Sequence, residues 1–266
     1  MTERHRISYD GITMEYIRFG TGTRTMVILP GLSIKSVADM SEAVAAAYDM
    51  FTKDFTVYLF DRRENVCSSY DIYGMAHDTY TVMEHLGLHG IYLFGASQGG
   101  MIAALIAAEH PGFVRRLVLG NTSLFVPGGT EKTVAEWVGD AEKEDGIKLC
   151  LDMGRAIYSK DTFLRYEGML ADMGKTVSAD ESVRFRIFAG ALKGFDMRSR
   201  ASHIKCPVLS LISDDDGVFK TASPELAEAA FSGIGDIRFR HFDGYGHAAY
   251  DTTPGYREEM LGFFLS

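Results

Sequence analysis

Ile91-Tyr92-Leu93-Phe94-Gly95-Ala96-Ser97-Gln98-Gly99-Gly100, followed by the apolar run from Met101 to His110, is the stretch that decides the fold. Four apolar residues rich in β-formers read as a short buried strand, and the Ala-rich segment behind them has helical spacing. Ser97 falls at the junction. Gly95 and Gly99 flank it at a spacing of two, which suits a tight strand-to-helix turn in which a Cβ beside the serine would clash. Such a turn pushes the hydroxyl out of the fold and leaves helix-terminal N–H groups unpaired beside it.

The same rhythm extends outward on both sides. Upstream, His5 to Ser8 and Thr13 to Phe19 read as strands joined at Asp10-Gly11, a dipeptide suited to an antiparallel hairpin. Met26 to Leu29 is a buried strand ending at Pro30-Gly31, a helix is expected over 36–53, and a strand over Thr56 to Phe60. Helical spacing resumes from Tyr73 to Leu86. Beyond the central helix, Val114 to Leu119 is a strand. The pattern returns with strands at Pro207 to Ile212 and Ile237 to Phe242, and with helices near Glu225 to Phe231 and Thr253 to Leu265. Strands alternating with helices imply an α/β fold: a mostly parallel, eight-stranded sheet covered by helices on both faces.

Between residues 124 and 203 the rhythm changes. Thr130 to Glu142, Ile147 to Tyr158, Thr162 to Met173 and Ala179 to Leu192 read as helices with no strand between them. The expected organisation is therefore a core domain of residues 1–123 and 204–266, with an all-helical cap, 124–203, inserted over the sheet's edge. No internal repeat or low-complexity tract interrupts it.

At 266 residues with 46% hydrophobic content the chain can bury one large core. A formal charge of −9, with Lys and Arg scattered among acids, argues against nucleic acid as a partner. Cys67, Cys150 and Cys206 are odd in number and lack metal-ligand spacing, so they read as structural thiols. No segment approaches 18 continuous apolar residues, and the first residues carry no apolar leader. The expectation is a cytoplasmic protein with a small-molecule substrate, no membrane contact and no metal or organic cofactor.

Glycines around a serine, with a strand before and a helix after, resemble the nucleophile elbow of the α/β-hydrolase family. A serine needs a base to take its proton and an acid to orient that base. Reactive groups in α/β sheets gather at the carboxyl ends of strands, and His247, in Asp243-Gly244-Tyr245-Gly246-His247, lies just past the end of a late strand. The other seven histidines sit within or before elements. For the acid, Ser213-Asp214-Asp215-Asp216-Gly217 offers three neighbouring carboxylates, and the residues alone do not choose among them. The family's Gly-x-x-Asp pattern, aligned on the strand from Pro207, places Ser213 at the glycine and selects Asp216 over Asp215.

The order Ser97, Asp216, His247 is the order of this family. The resemblance also implies an oxyanion hole from the N–H groups of Gln98, just after the serine, and Leu32, in Pro30-Gly31-Leu32, where the family has His-Gly before the donor. Asp61-Arg62-Arg63-Glu64-Asn65-Val66-Cys67-Ser68 resembles the family's Asp-x-Arg-Gly-x-Gly-x-Ser loop. Glu64 and Val66 replace both glycines, leaving Asn65 as the candidate for a positive φ. The resemblance spans nearly the whole chain and is weakest in the cap.

The implied activity is a serine hydrolase that cleaves a small carboxylic ester through an acyl-enzyme. Carbon–carbon bond, amide or thioester hydrolysis, lyase chemistry, or ligand sensing with signalling through the cap are the alternatives on the same frame. In the cap, Met153, Tyr158, Phe163, Tyr166, Met169, Met173, Phe185 and Phe188 either fill its own core or line a pocket. Arg155, Arg165, Arg184 and Arg186 are expected on solvated faces; one turned inward would favour an acidic substrate.

Overall fold

The computed structural model describes residues 2–219 and 223–266. Asp10 and Gly11 both take positive φ, 49° and 72°, and so join β1 (Glu3–Tyr9) to β2 (Ile12–Phe19) as the antiparallel pair expected of that dipeptide. The sheet continues through β3 (Arg24–Leu29), β4 (Phe55–Phe60), β5 (Ile91–Ala96), β6 (Val114–Gly120), β7 (Val208–Ser213) and β8 (Ile237–Phe242). Its spatial order is β1-β2-β4-β3-β5-β6-β7-β8. Pairing is antiparallel between β1, β2 and β4 and parallel from β4 to β8, so the sheet is mixed, with its antiparallel part confined to one edge.

The helices are α1 (Ser41–Ala47), α2 (Ile72–His85), α3 (Gln98–Glu109), α4 (Gly128–Glu142), α5 (Gly146–Ile157), α6 (Lys160–Gly174), α7 (Ala179–Gly190), α8 (Pro224–Ala229), α9 (Ala249–Thr252) and α10 (Tyr256–Leu265). Alternation along β5 shows why both faces need helices. Ile91 and Leu93 join a core with α2 and α3, whereas Tyr92 and Phe94 join a second with α10. All six residues of β5 are buried, it lies in the middle of the sheet between β3 and β6, and Ser97 is the first residue past its end. Four helices, α4 to α7, lie between β6 and β7. Among the described residues no helix is long and apolar enough to cross a membrane.

Two expected helices are shorter than the patterning suggests. Over 36–53 the chain makes a 3₁₀ turn (Val37–Met40), α1 and a second 3₁₀ turn (Asp49–Phe51). The break at Tyr48 lets Tyr48 and Phe51 both reach the core, their rings 5.7 Å apart, so packing overrides propensity. The last helix begins at Tyr256, not Thr253. Pro254 holds Thr253 in an extended conformation (ψ 122°), and Gly255 turns the chain with φ 80°.

Candidate active site

The elbow forms because its sterics leave no alternative. Ser97 has φ 51° and ψ −122°, a conformation costing a non-glycine residue about 1–3 kcal/mol. The surroundings hold it there: its N–H donates to the Gly120 carbonyl at 2.8 Å, and its own carbonyl accepts from Thr122 Oγ1 at 2.6 Å. A Cβ on Gly95 would overlap the Gly99 carbonyl. One on Gly99 would overlap the carbonyl oxygens of Leu29 and Pro30. Only glycine at these positions lets α3 start so close to β3 and β5.

Ser97, His247 and Asp216 meet at the carboxyl edge of the sheet. Ser97 Oγ lies 2.8 Å from His247 Nε2, and His247 Nδ1 lies 2.7 Å from Asp216 Oδ2. His247 is 3% exposed and Ser97 8%, so the contact between them is shielded from bulk water. Asp216 Oδ1 accepts from the N–H groups of Val218 and Phe219 at 2.7 and 2.8 Å, fixing the carboxylate toward the imidazole. The tautomer in which Nδ1–H donates to Asp216 leaves Nε2 to accept from the Ser97 hydroxyl.

The neighbouring carboxylate does a different job. Asp215 Oδ1 accepts from Ser213 Oγ at 2.7 Å and from the N–H groups of Tyr245 and Gly246 at 3.2 and 3.0 Å. It thereby ties the loop after β7 to the loop carrying His247, and Ser213, standing where the family has glycine, contributes a bond of its own. Burial raises the Asp215 pKa, but the Ser213 hydroxyl and the Gly246 amide more than offset it, and the net shift is downward. Asn121 Nδ2, donating to the Gly246 carbonyl at 3.2 Å, holds the same loop from β6.

The two amides proposed to receive an oxyanion sit where the turn leaves them. Neither Gln98 N–H nor Leu32 N–H donates to a group among the described residues. Gly31, which precedes Leu32, packs directly on Ser97: a Cβ there would lie 3.2 Å from the serine Cβ. Pro30 cannot brace this loop as a histidine would. A residue that the sequence did not single out for the task does so: Arg62 Nη2 donates to the Pro30 carbonyl at 2.6 Å and lies 3.5 Å from Gln98 Oε1. Burial pushes the Arg62 pKa down to about 10, with Asp61 opposing the shift.

Asn65 is not a left-handed residue; no residue from 61 to 68 takes a positive φ. The loop is shaped instead by side chains. Asp61 accepts from Ser36 Oγ at 2.6 Å and from the Arg62 N–H at 2.7 Å, and Glu64 pairs with Arg6 at 2.7 Å. Arg184, expected on a solvated face, reaches inward from α7 to the Arg62 carbonyl at 2.9 Å and to Asp61 at 3.3 Å. Gln98 Nε2 donates to the Phe188 carbonyl at 2.7 Å, so α7 is fastened to the elbow itself.

A cavity of about 300 Å³ lies beside Gly31, Leu32 and Ala96, between α1, α5 and α6. Of the eight aromatic and methionine positions between α4 and α7, Met153, Tyr158, Met169 and Met173 line it. Phe163, Phe185 and Phe188 are buried in the larger core, and Tyr166 meets Tyr158 edge-on with ring centres 5.3 Å apart. None of Arg155, Arg165, Arg184 and Arg186 lines the cavity. Tyr250 and Asp251 do, three and four residues after His247, and periodicity gave no sign of it. Cys67, Cys150 and Cys206 are free thiols, with Cys150 on the cavity wall.

Comparison with known proteins agrees with this architecture. Residues 24–254 match the alpha/beta hydrolase fold family. The chain belongs to that family. It is similar to the serine hydrolase BPHL of Mus musculus, 25% identical over 129 residues, which cover 46% of this chain and 43% of that protein. The match thus spans less than half the length of that relative. Among solved structures, MGS-M2, an alpha/beta hydrolase enzyme from a Medee basin deep-sea metagenome library, superposes with a TM-score of 0.85 at 20% identity, covering 98% of both chains. The enol-lactonase from Burkholderia xenovorans LB400 gives 0.82 at 19% identity, covering 98% of this chain and all of the other.

Proposed function

We propose that the protein is a serine hydrolase of small carboxylic esters, with Ser97 as nucleophile, His247 as general base and acid, and Asp216 as the carboxylate that orients the imidazole. The carrying observation is the unbroken succession from Ser97 Oγ to His247 to Asp216 at 2.8 and 2.7 Å, set beside two amides with no acceptor among the described residues. Ser97 Oγ attacks the acyl carbon while His247 Nε2 takes its proton. The Gln98 and Leu32 N–H groups receive the oxyanion, where a single donor is worth about 3 kcal/mol of barrier. Imidazolium protonates the departing alcohol, water then attacks the acyl-enzyme with its proton passing to His247, and the acid is released as the serine regains its proton. The segment 124–203 serves as the cap that closes the site, and the mostly apolar cavity walls favour an ester bond to an aliphatic or aromatic acyl group. This reading places the protein in the reducing cytoplasm, acting on a small molecule with no need for nucleic acid, membrane or cofactor.

A fluorophosphonate, mapped by mass spectrometry, should modify Ser97, and turnover of a simple aryl ester should fall by about 10⁴-fold or more in Ser97→Ala. Modification at another residue, or an active Ser97→Ala, would overturn the assignment.

A further inference from the structure

The cavity wall carries one carboxylate that the mechanism above does not use. Asp251, on α9, lines the cavity and is itself exposed, although desolvation by the surrounding fold lifts its pKa to about 6, opposed only in part by Arg257. Its backbone N–H donates to the Ala248 carbonyl, but its carboxylate has no hydrogen-bond or ion-pair partner among the described residues. Arg257 acts on it only through space and forms no ion pair with it: its guanidinium lies 5.2 Å from the centre of the Tyr48 ring, and its Nε has no hydrogen-bond partner among the described residues. Lys35, the cavity's cationic residue, is already neutralised: Nζ donates to the Thr176 carbonyl at 2.9 Å and pairs with Glu181 at 3.3 Å. Met40, Val44, Ile157 and Leu170 supply much of the remaining wall.

An unpaired carboxylate on a mostly apolar wall is costly in the free protein and repels an anionic ligand. It gains most from a cationic donor, since charge-assisted hydrogen bonds are roughly twice as strong as neutral ones. Gly31, whose Cβ position lies 3.2 Å from the Ser97 Cβ and 3.7 Å from Tyr250 Oη, places this wall next to the nucleophile. We propose that the cavity takes acyl groups bearing an ammonium substituent and that Asp251 is the residue that holds it, an inference resting on the hydrolase reading above. The polar group then fixes the orientation of a substrate whose remaining contacts are apolar.

The test uses benzyl esters of straight-chain aliphatic acids in which an ammonium replaces a methyl group at successive positions, beside the parent, hydroxyl and carboxylate counterparts. At one position the ammonium ester should exceed its parent in kcat/KM by about tenfold or more, mainly through KM. That ratio should collapse in Asp251→Asn and invert in Asp251→Leu, with thermal melts reporting that each variant is folded. On the unaltered protein, n-pentylammonium should inhibit parent-ester hydrolysis at about one-tenth the concentration required of 1-pentanol. Turnover without an ammonium preference at any position, an equal preference for the hydroxyl ester, or a ratio that survives both substitutions overturns the proposal alone. Failure of fluorophosphonate to label Ser97, with no ester turned over, removes the hydrolase reading and the proposal with it.

Discussion

Two loops of this protein resemble the same family's glycine-bearing motifs and solve the same problem in opposite ways. At the elbow, Gly95 and Gly99 are retained, since any Cβ there would meet backbone carbonyls that cannot move without displacing β3 or α3. In the loop after β4 both glycines are gone, yet the chain passes from Asp61 to Ser68 without one left-handed residue. There, side chains replace conformational freedom: Asp61 gathers Ser36, the Arg62 amide and Arg184, and Arg62 carries the brace across to Pro30. A glycine is dispensable where it supplied only a φ angle, and indispensable where it supplied space.

Breaking the first loop should cost most. Gly99→Ala drives a methyl group into the Leu29 and Pro30 carbonyls and should destabilise the fold by about 3 kcal/mol or more, or prevent soluble expression, as thermal or urea unfolding will show. Arg62→Met removes a buried charged donor from the Pro30 carbonyl; it should cost about 2 kcal/mol of stability and lower kcat on an aryl ester by about tenfold as the loop proposed to hold the oxyanion loosens. Val66→Gly restores a glycine of the family pattern where no positive φ exists. It should lose about 1 kcal/mol in urea unfolding, through unfolded-state entropy and lost packing, without improving turnover. A gain in stability from that substitution would refute the contrast between the loops.

The acid loop after β7 provides the mildest probe, since Ser213 again stands where the family has glycine and again contributes a hydrogen bond. The Asp215 pKa is depressed in the folded state, so its contribution is present above the unfolded carboxylate pKa and is lost as pH falls through the folded value. Asp215→Asn should therefore lower the melting temperature at pH 7 and narrow that deficit as pH falls toward about 3, the acid side of the carboxylate range. A deficit independent of pH would mean that the anchoring of Tyr245 and Gly246 does not depend on the charge.

What could be read from the sequence is what local physics enforces. Alternating burial requires strands, 3.6-residue spacing requires covering helices, and small residues around Ser97 permit only a tight turn, so the α/β architecture, the hairpin at Asp10-Gly11 and the strand-to-helix turn at Ser97 all follow from neighbours in the chain. The segment ends were less legible: Pro254 and the burial of Tyr48 and Phe51 shortened helices that periodicity alone would have continued.

Tertiary structure alone decided which groups meet. Asp215 and Asp216 are adjacent and chemically identical, and only the packing of the β7 and β8 loops turns one to the backbone of residues 245 and 246 and the other to His247. The same holds for Arg62 under Pro30, for Arg184 turned inward, and for Asp251 on the cavity wall, positions whose meaning lies in partners from 32 to 122 residues away or in a surface built by several elements. Local sequence fixes backbone conformation because its sterics act over a few bonds. Convergence of distant side chains depends on how whole elements pack, and that is settled only when the core closes.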